Sequence, residues 1–141
     1  MTQLIFLAVL LLDQLSKVVI LREMSFNQSI PVIPPIFHVT LVANTGIAFG
    51  LFKGKSEHFV LVGVAVLFWI YLFIRKHRLK DRWALAGLAM VSGGALGNMI
   101  DRIRYGYVVD FLDFRVWPVF NVADSCIFVG TILFFITCFK K

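Results

Sequence analysis

The chain has 141 residues, the length of one domain. Its 60% hydrophobic content and mean hydropathy of +0.87 exceed the roughly 45–50% apolar share of soluble domains, which points to a membrane protein. The formal net charge is +6, but the cations are clustered, so charge speaks to orientation in a bilayer. No interleaving of basic and aromatic residues suggests a nucleic-acid partner.

The first apolar stretch, Thr2–Leu21, has no basic residues before it and no small-x-small motif after it. It also carries Asp13 and Lys17, so it is read as a retained membrane helix and not as a cleaved signal peptide. Asp13 precedes Lys17 by four residues, the favoured order for an ion pair on one helix face. Such a pair either neutralises itself within the packing or stands beside a site. The segment Arg22–Glu57 follows. FHVTLV alternates like a strand, Asn44-Thr45-Gly46 breaks it, and IAFGLF is apolar again. This predicts a small β-element on the outer membrane surface, then a short amphipathic or re-entrant piece.

Three more apolar spans are predicted at His58–Ile74, Trp83–Ile100 and Val119–Phe139. Each is long enough for about 30 Å of hydrocarbon. Between the second and third lies RKHRLKDR, residues 75–82, with five Lys or Arg. The chain ends in Lys140 and Lys141. The positive-inside rule puts both on the cytoplasmic side, so four crossings place the N-terminus there too. The segments Arg22–Glu57 and Asp101–Pro118 then lie outside. Ala89, Gly93 and Gly97 form a small-xxx-small stripe on the third span, which permits close helix packing in lipid. Cys126 and Cys138 are about 18 Å apart on one helix and cannot pair, so they are read as small apolar fillers.

The polar residues within these spans need a reason. A charge such as Asp124 at membrane depth costs about 2.5–3.5 kcal/mol on the insertion scale. Asn121 lies one turn earlier on the same face. Asn98, Asp101 and Arg102 fall at the outer end of the third span, where Asp101 and Arg102 could form an interfacial charge pair. Asp110 and Asp113 sit in the apolar run VVDFLDF. Their offset of three puts them on opposite strand faces, one pointing inward and the other to water. The residues alone leave open which is which. One of the two thus meets Asp124 at the same membrane level, across a pocket between helices.

Two close carboxylates at an apolar site do not both ionise easily. Aspartic proteases use this arrangement. The ionised member takes a proton from water, and the protonated member hydrogen-bonds the scissile carbonyl. Other chemistries fit less well. His38, His58 and His77 are scattered and form no H-E-x-x-H motif. Ser16 and Lys17 are adjacent and point about 100° apart on a helix. No P-loop or GxGxxG is present. A proton-coupled transporter could also use Asp13, Lys17 and Asp124, but it needs carboxylates staged across the bilayer.

DQLSK at 13–17, NTGIAFG at 44–50, GNMIDR at 97–102, VVDF at 108–111 and FNVADS at 120–125 occur in this order. With these motifs the chain resembles the lipoprotein signal peptidase family, the bacterial type II signal peptidases, over nearly its whole length. The resemblance implies an all-α, four-helix membrane protein with a small extracytoplasmic β-element and a short periplasmic helix, both supplied by residues 22–57. It implies an aspartic endopeptidase of the bacterial inner membrane, with both termini cytoplasmic and the active site at the extracytoplasmic face. The family cuts prolipoproteins just before a lipobox cysteine that carries a diacylglyceryl group.

Matched motif by motif, the dyad falls on Asp110 and Asp124. Asn44 and Gly46 come near the substrate, Asn98 and Arg102 border the site, and Asn121 lies beside Asp124. Asp101 pairs with Arg102 or orients the loop, and Asp13 with Lys17 braces the core. Ile47 stands where the family more often has alanine. The expected enzyme is a monomer without cofactor or metal. Its expected partners are the lipid-modified prolipoprotein and membrane lipid, not nucleic acid.

Overall fold

The computed structural model describes residues 1–46 and 56–139. Among these residues four helices, α1 (Thr2–Glu23), α2 (Ser56–His77), α3 (Arg82–Tyr105) and α4 (Val122–Phe139), are long and apolar enough to cross a membrane. Three strands, β1 (Ser29–Ile33), β2 (Phe37–Asn44) and β3 (Val108–Asp113), form one antiparallel sheet in the order β1-β2-β3. The four predicted spans are all present. The sheet departs from expectation in taking its third strand from the second connecting segment, so the α1–α2 and α3–α4 connections meet in one element. The short helix or re-entrant piece expected in IAFGLF, the Ile47 position, and Lys140 and Lys141 lie outside the described residues.

The helix boundaries shift for identifiable reasons. Asp81 caps α3 by accepting the N–H groups of Trp83 and Ala84 at 3.0 and 3.1 Å. The same helix continues to Tyr105 and stops at Gly106, whose φ of 78° suits glycine and whose N–H returns to the Arg102 carbonyl. Asp101 and Arg102 therefore stand on the helix, inside its last turns. Phe120 is held by a β-bridge to Leu112, which delays α4 until Val122. Asp124 thus sits in the first turn of α4, roughly 3 Å along its axis and not the deeper level expected from a start at Val119.

Packing is inverted relative to a soluble domain. Leu4, Leu11 and Leu15 of α1, Leu61 and Phe68 of α2, and Phe128 and Phe135 of α4 are exposed, as lipid-facing side chains are. Asp13, Lys17, Asn98, Asp101, Asp110 and Asn121 are buried. A small apolar cluster of Met24, Leu41 and Val109 joins the end of α1 to the sheet. Lipid gives helices no hydrophobic reason to associate, so close backbone approach matters more. On α3, Gly93 and Gly97 face α1, as the predicted stripe suggests. Gly87 and Gly94 face α4, where Gly87 meets Gly130. This second contact line was not anticipated.

Candidate active site

The start of α4 builds the site. Asn121 is its N-cap: its carbonyl accepts the Ser125 N–H at 3.2 Å and its Oδ1 accepts the Asp124 N–H at 2.9 Å. Asp124 Oδ2 accepts the Asn121 N–H in return at 3.3 Å. This is a reciprocal capping box with aspartate in the position usually held by glutamate. The Ala123 N–H goes to Asp13 Oδ1 of α1 at 3.0 Å. Helix starts leave N–H groups unpaired, and here they are used to fix one carboxylate in place.

The second carboxylate comes from β3. Asp110 Oδ1 accepts from Asn121 Nδ2 at 2.7 Å, and its Oδ2 accepts from Asn44 Nδ2 at 2.8 Å. Asn44 ends β2, opposite Val108 in the register, and its own Oδ1 accepts the Gly46 N–H at 3.1 Å. Asn121 therefore holds Asp110 with its amide nitrogen and Asp124 with its amide oxygen and backbone. Asn98 of α3 donates to Asp124 Oδ1 at 2.7 Å. Asp110, Asp124, Asn44, Gly46, Asn98 and Arg102 all line one cleft of about 270 Å³, with Trp117 and Phe120 as apolar wall. Asp110 is only 1% exposed. Burial first, and the Asp124 carboxylate second, push it up to about 7 against the opposing hydrogen bonds of Asn44 and Asn121.

Beneath these two carboxylates lies a charge cluster. Lys17 donates to Asp13 Oδ2 at 2.9 Å, Asn98 Oδ1 at 3.0 Å and Asp101 Oδ2 at 2.8 Å. The Asp13–Lys17 pair is thus present and braces α1 against α3 and α4. Asp101 corrects one expectation: its ion-pair partner is Lys17, not Arg102. Asp101 Oδ2 also accepts the Val109 N–H at 3.1 Å, one residue before Asp110. Arg102 reaches back to the Asn98 carbonyl at 3.4 Å and lies over the Phe59 ring at 5.2 Å. Gln14, which sequence reasoning passed over, donates to Asp13, Asp101 and the Gly97 carbonyl. A polar amide inside an apolar span was itself the available signal.

Asp113 supplies a second correction. It does not face water: it is 5% exposed, on the same largely buried strand as Asp110. What separates the two carboxylates is their partners. Burial pushes Asp113 up, but hydrogen bonds from Thr40 at 2.7 Å and from the Arg115 backbone and guanidinium outweigh it and hold it below the usual carboxylate range. It is not part of the cleft lining. Asp113→Asn should therefore leave the cleft intact and cost about 1–3 kcal/mol of stability through weakened charge-assisted bonds, read from melting curves in detergent.

Among the described residues, no group of three His, Cys, Asp or Glu side chains is placed to hold a metal ion. Cys126 and Cys138 are free thiols.

The fold is shared with solved structures. Two bacterial membrane enzymes solved by the in meso method, at 2.3 Å and 1.9 Å, match with TM-scores of 0.92 and 0.90 at 34% and 33% identity. Each match covers 99% of this chain, and 87% and 93% of the respective neighbour. A four-helix, multi-pass membrane enzyme is the class so defined. Residues 5–140 match the family model described as signal peptidase (SPase) II, and the chain belongs to that family. It is 44% identical over 133 residues to the lipoprotein signal peptidase of Halothermothrix orenii, covering 94% of this chain and 91% of the relative. It is 52% identical over 132 residues to that of Moorella thermoacetica, covering 92% and 87%. The chain is accordingly a peptidase, a hydrolase embedded in the membrane.

Proposed function

We propose that this peptidase removes the signal peptide from prolipoproteins whose lipobox cysteine carries a diacylglyceryl group, cutting just before that cysteine. Asp110 and Asp124 act as a dyad that shares one proton. The observation that carries this reading is the convergence of both carboxylates on one cleft, each held by an asparagine amide. The ionised member draws a proton from the attacking water. The protonated member hydrogen-bonds the scissile carbonyl as charge develops on its oxygen. Collapse of the tetrahedral intermediate passes a proton to the departing amine. The signal peptide leaves with a new carboxylate, and the lipidated cysteine becomes the new N-terminus.

In this reading the protein is a monomer of the bacterial inner membrane, and the sheet end of the bundle is extracytoplasmic. The cations Arg75, Lys76, Arg78 and Arg82 at the opposite end support that orientation, with both termini cytoplasmic. A substrate that is itself a membrane helix with acyl chains at its cut site can approach sideways from lipid. Its scissile bond then stays at interfacial depth.

The test is a gel-shift assay with purified protein in detergent and a diacylglyceryl-modified prolipoprotein. Cleavage before the modified cysteine, absent with the unmodified precursor, is the expected result. Cleavage indifferent to lipidation would remove the substrate assignment. The pH profile follows from Asp110. Above about 7 its proton is lost, both carboxylates are charged, and no acid remains to meet the carbonyl. The kcat/KM of the free enzyme should therefore fall on a basic limb near pH 7, about tenfold per pH unit beyond it. A profile flat from pH 6 to 9 would contradict the shared proton.

A further inference from the structure

We propose that Lys17 is a positioning residue for the peptidase reaction: by fixing the oxygen side of the Asn98 amide, it obliges the nitrogen side to face Asp124. This rests on the dyad reading above. An ammonium group has three N–H donors and no acceptor. Lys17 spends one on Asp13, one on Asp101 and one on Asn98 Oδ1, and it is 2% exposed, so no water competes. The two ends of an asparagine amide have nearly the same shape and exchange by a half-turn about Cβ–Cγ, so only their hydrogen bonds distinguish them. Because the ammonium accepts nothing, Asn98 must present oxygen to it. The 2.7 Å contact to Asp124 Oδ1 is then a donor contact.

The two site amides are oriented differently. Asn121 is set by its own helix, since its Oδ1 caps the Asp124 N–H. Its Nδ2 has two hydrogens and three acceptors: Asp110 Oδ1 at 2.7 Å, Asn98 Oδ1 at 3.1 Å and the Val109 carbonyl at 3.3 Å. It is a divided partner for Asn98, which leaves Lys17 as the dedicated one. Without the ammonium, Asn98 adjoins a space bordered by the Asp13 and Asp101 carboxylates. Their negative potential draws the NH₂ end toward them and turns the carbonyl oxygen onto Asp124. Two acceptors then face each other at the reacting group.

The experiment is a double-mutant cycle on single-turnover cleavage of the lipidated precursor. Lys17→Met should lower kcat about 100-fold with KM nearly unchanged, the scale of a misplaced catalytic group. Asn98→Ala should lose a similar factor, and Lys17→Met/Asn98→Ala should fall within about twofold of Asn98→Ala alone, because residues acting through one another are not additive. Losses that multiply, or a folded Lys17→Met variant with wild-type kcat, would overturn the proposal. If Lys17→Met does not fold, Asp13→Asn/Lys17→Met replaces it in the cycle and is read by the same rule, because it removes one cation and one anion together. Asp124→Asn is run alongside. If it cleaves like wild type, the dyad reading fails; if it is dead while the Lys17 variants are fully active, only the Lys17 assignment fails.

Discussion

Asp110→Asn and Asp124→Asn should each reduce cleavage of the lipidated precursor by at least about 1,000-fold, within the span expected for removing an acid–base group. Asp110→Asn/Asp124→Asn should be scarcely worse than either single variant, because the two carboxylates act as a unit. Folding should survive. Asp124 accepts from Asn98 and from the Asn121 backbone, and an asparagine oxygen can keep one of these contacts. Asp110 is less forgiving, because both of its oxygens already accept amide donors. An asparagine there must turn its own NH₂ toward Asn44 or Asn121, losing about 1–2 kcal/mol. Gel-shift rates and detergent melting curves measured together separate these effects. Activity retained in folded Asp110→Asn with loss in Asp113→Asn would transfer the dyad to the wrong carboxylate and sink the assignment.

Gly94→Val on α3 should be strongly destabilising and should also inactivate. A Cβ at residue 94 would sit 2.5 Å from the Ala123 carbonyl oxygen and 2.8 Å from Ile127 Cγ1. The first obstacle is backbone, so α4 must move away from α3. The displaced turn is the one that carries Asn121 and Asp124. Overpacking of this kind costs about 3 kcal/mol, and here it also moves Asp124 away from Asp110. Gly63→Ala is the control: its Cβ would meet only the Met99 side chain, nearest at Sδ 3.5 Å away, an ordinary contact. It should leave melting and cleavage unchanged, or raise stability by up to about 1 kcal/mol through helix propensity. Equal losses in both variants would mean that the close α3–α4 approach is not what sets the cost.

The spans were legible because hydropathy over some twenty residues is a local signal. Helix ends were less so. That α3 reaches Tyr105 depends on Gly106 adopting a left-handed conformation, and that α4 waits until Val122 depends on Phe120 pairing with Leu112. Neither can be seen by scanning hydropathy. The third strand was missed as part of the sheet because its register comes from pairing with residues some seventy positions earlier, such as Val42 opposite Asp110. Of the two carboxylates that meet in the cleft, Asp124 was readable from the sequence, while its partner was left between Asp110 and Asp113 by the residues alone; the fold brings Asp110 to the cleft. The expectation that the other carboxylate faces water failed because Thr40 and Arg115 supply a buried home for Asp113. Lys17 was recognised as the partner of Asp13, four residues away. Its link to Asp101 crosses between helices and required the fold.

Asn121 makes the first turn of the last helix and the mounting of both carboxylates a single object. During synthesis, a chain whose final segment has not yet inserted holds Asp110 without its partner and without the amide that orients it. If the two carboxylates act together as proposed, such a nascent chain has no cutting power. On that reading, maturation of the enzyme and insertion of α4 are one event.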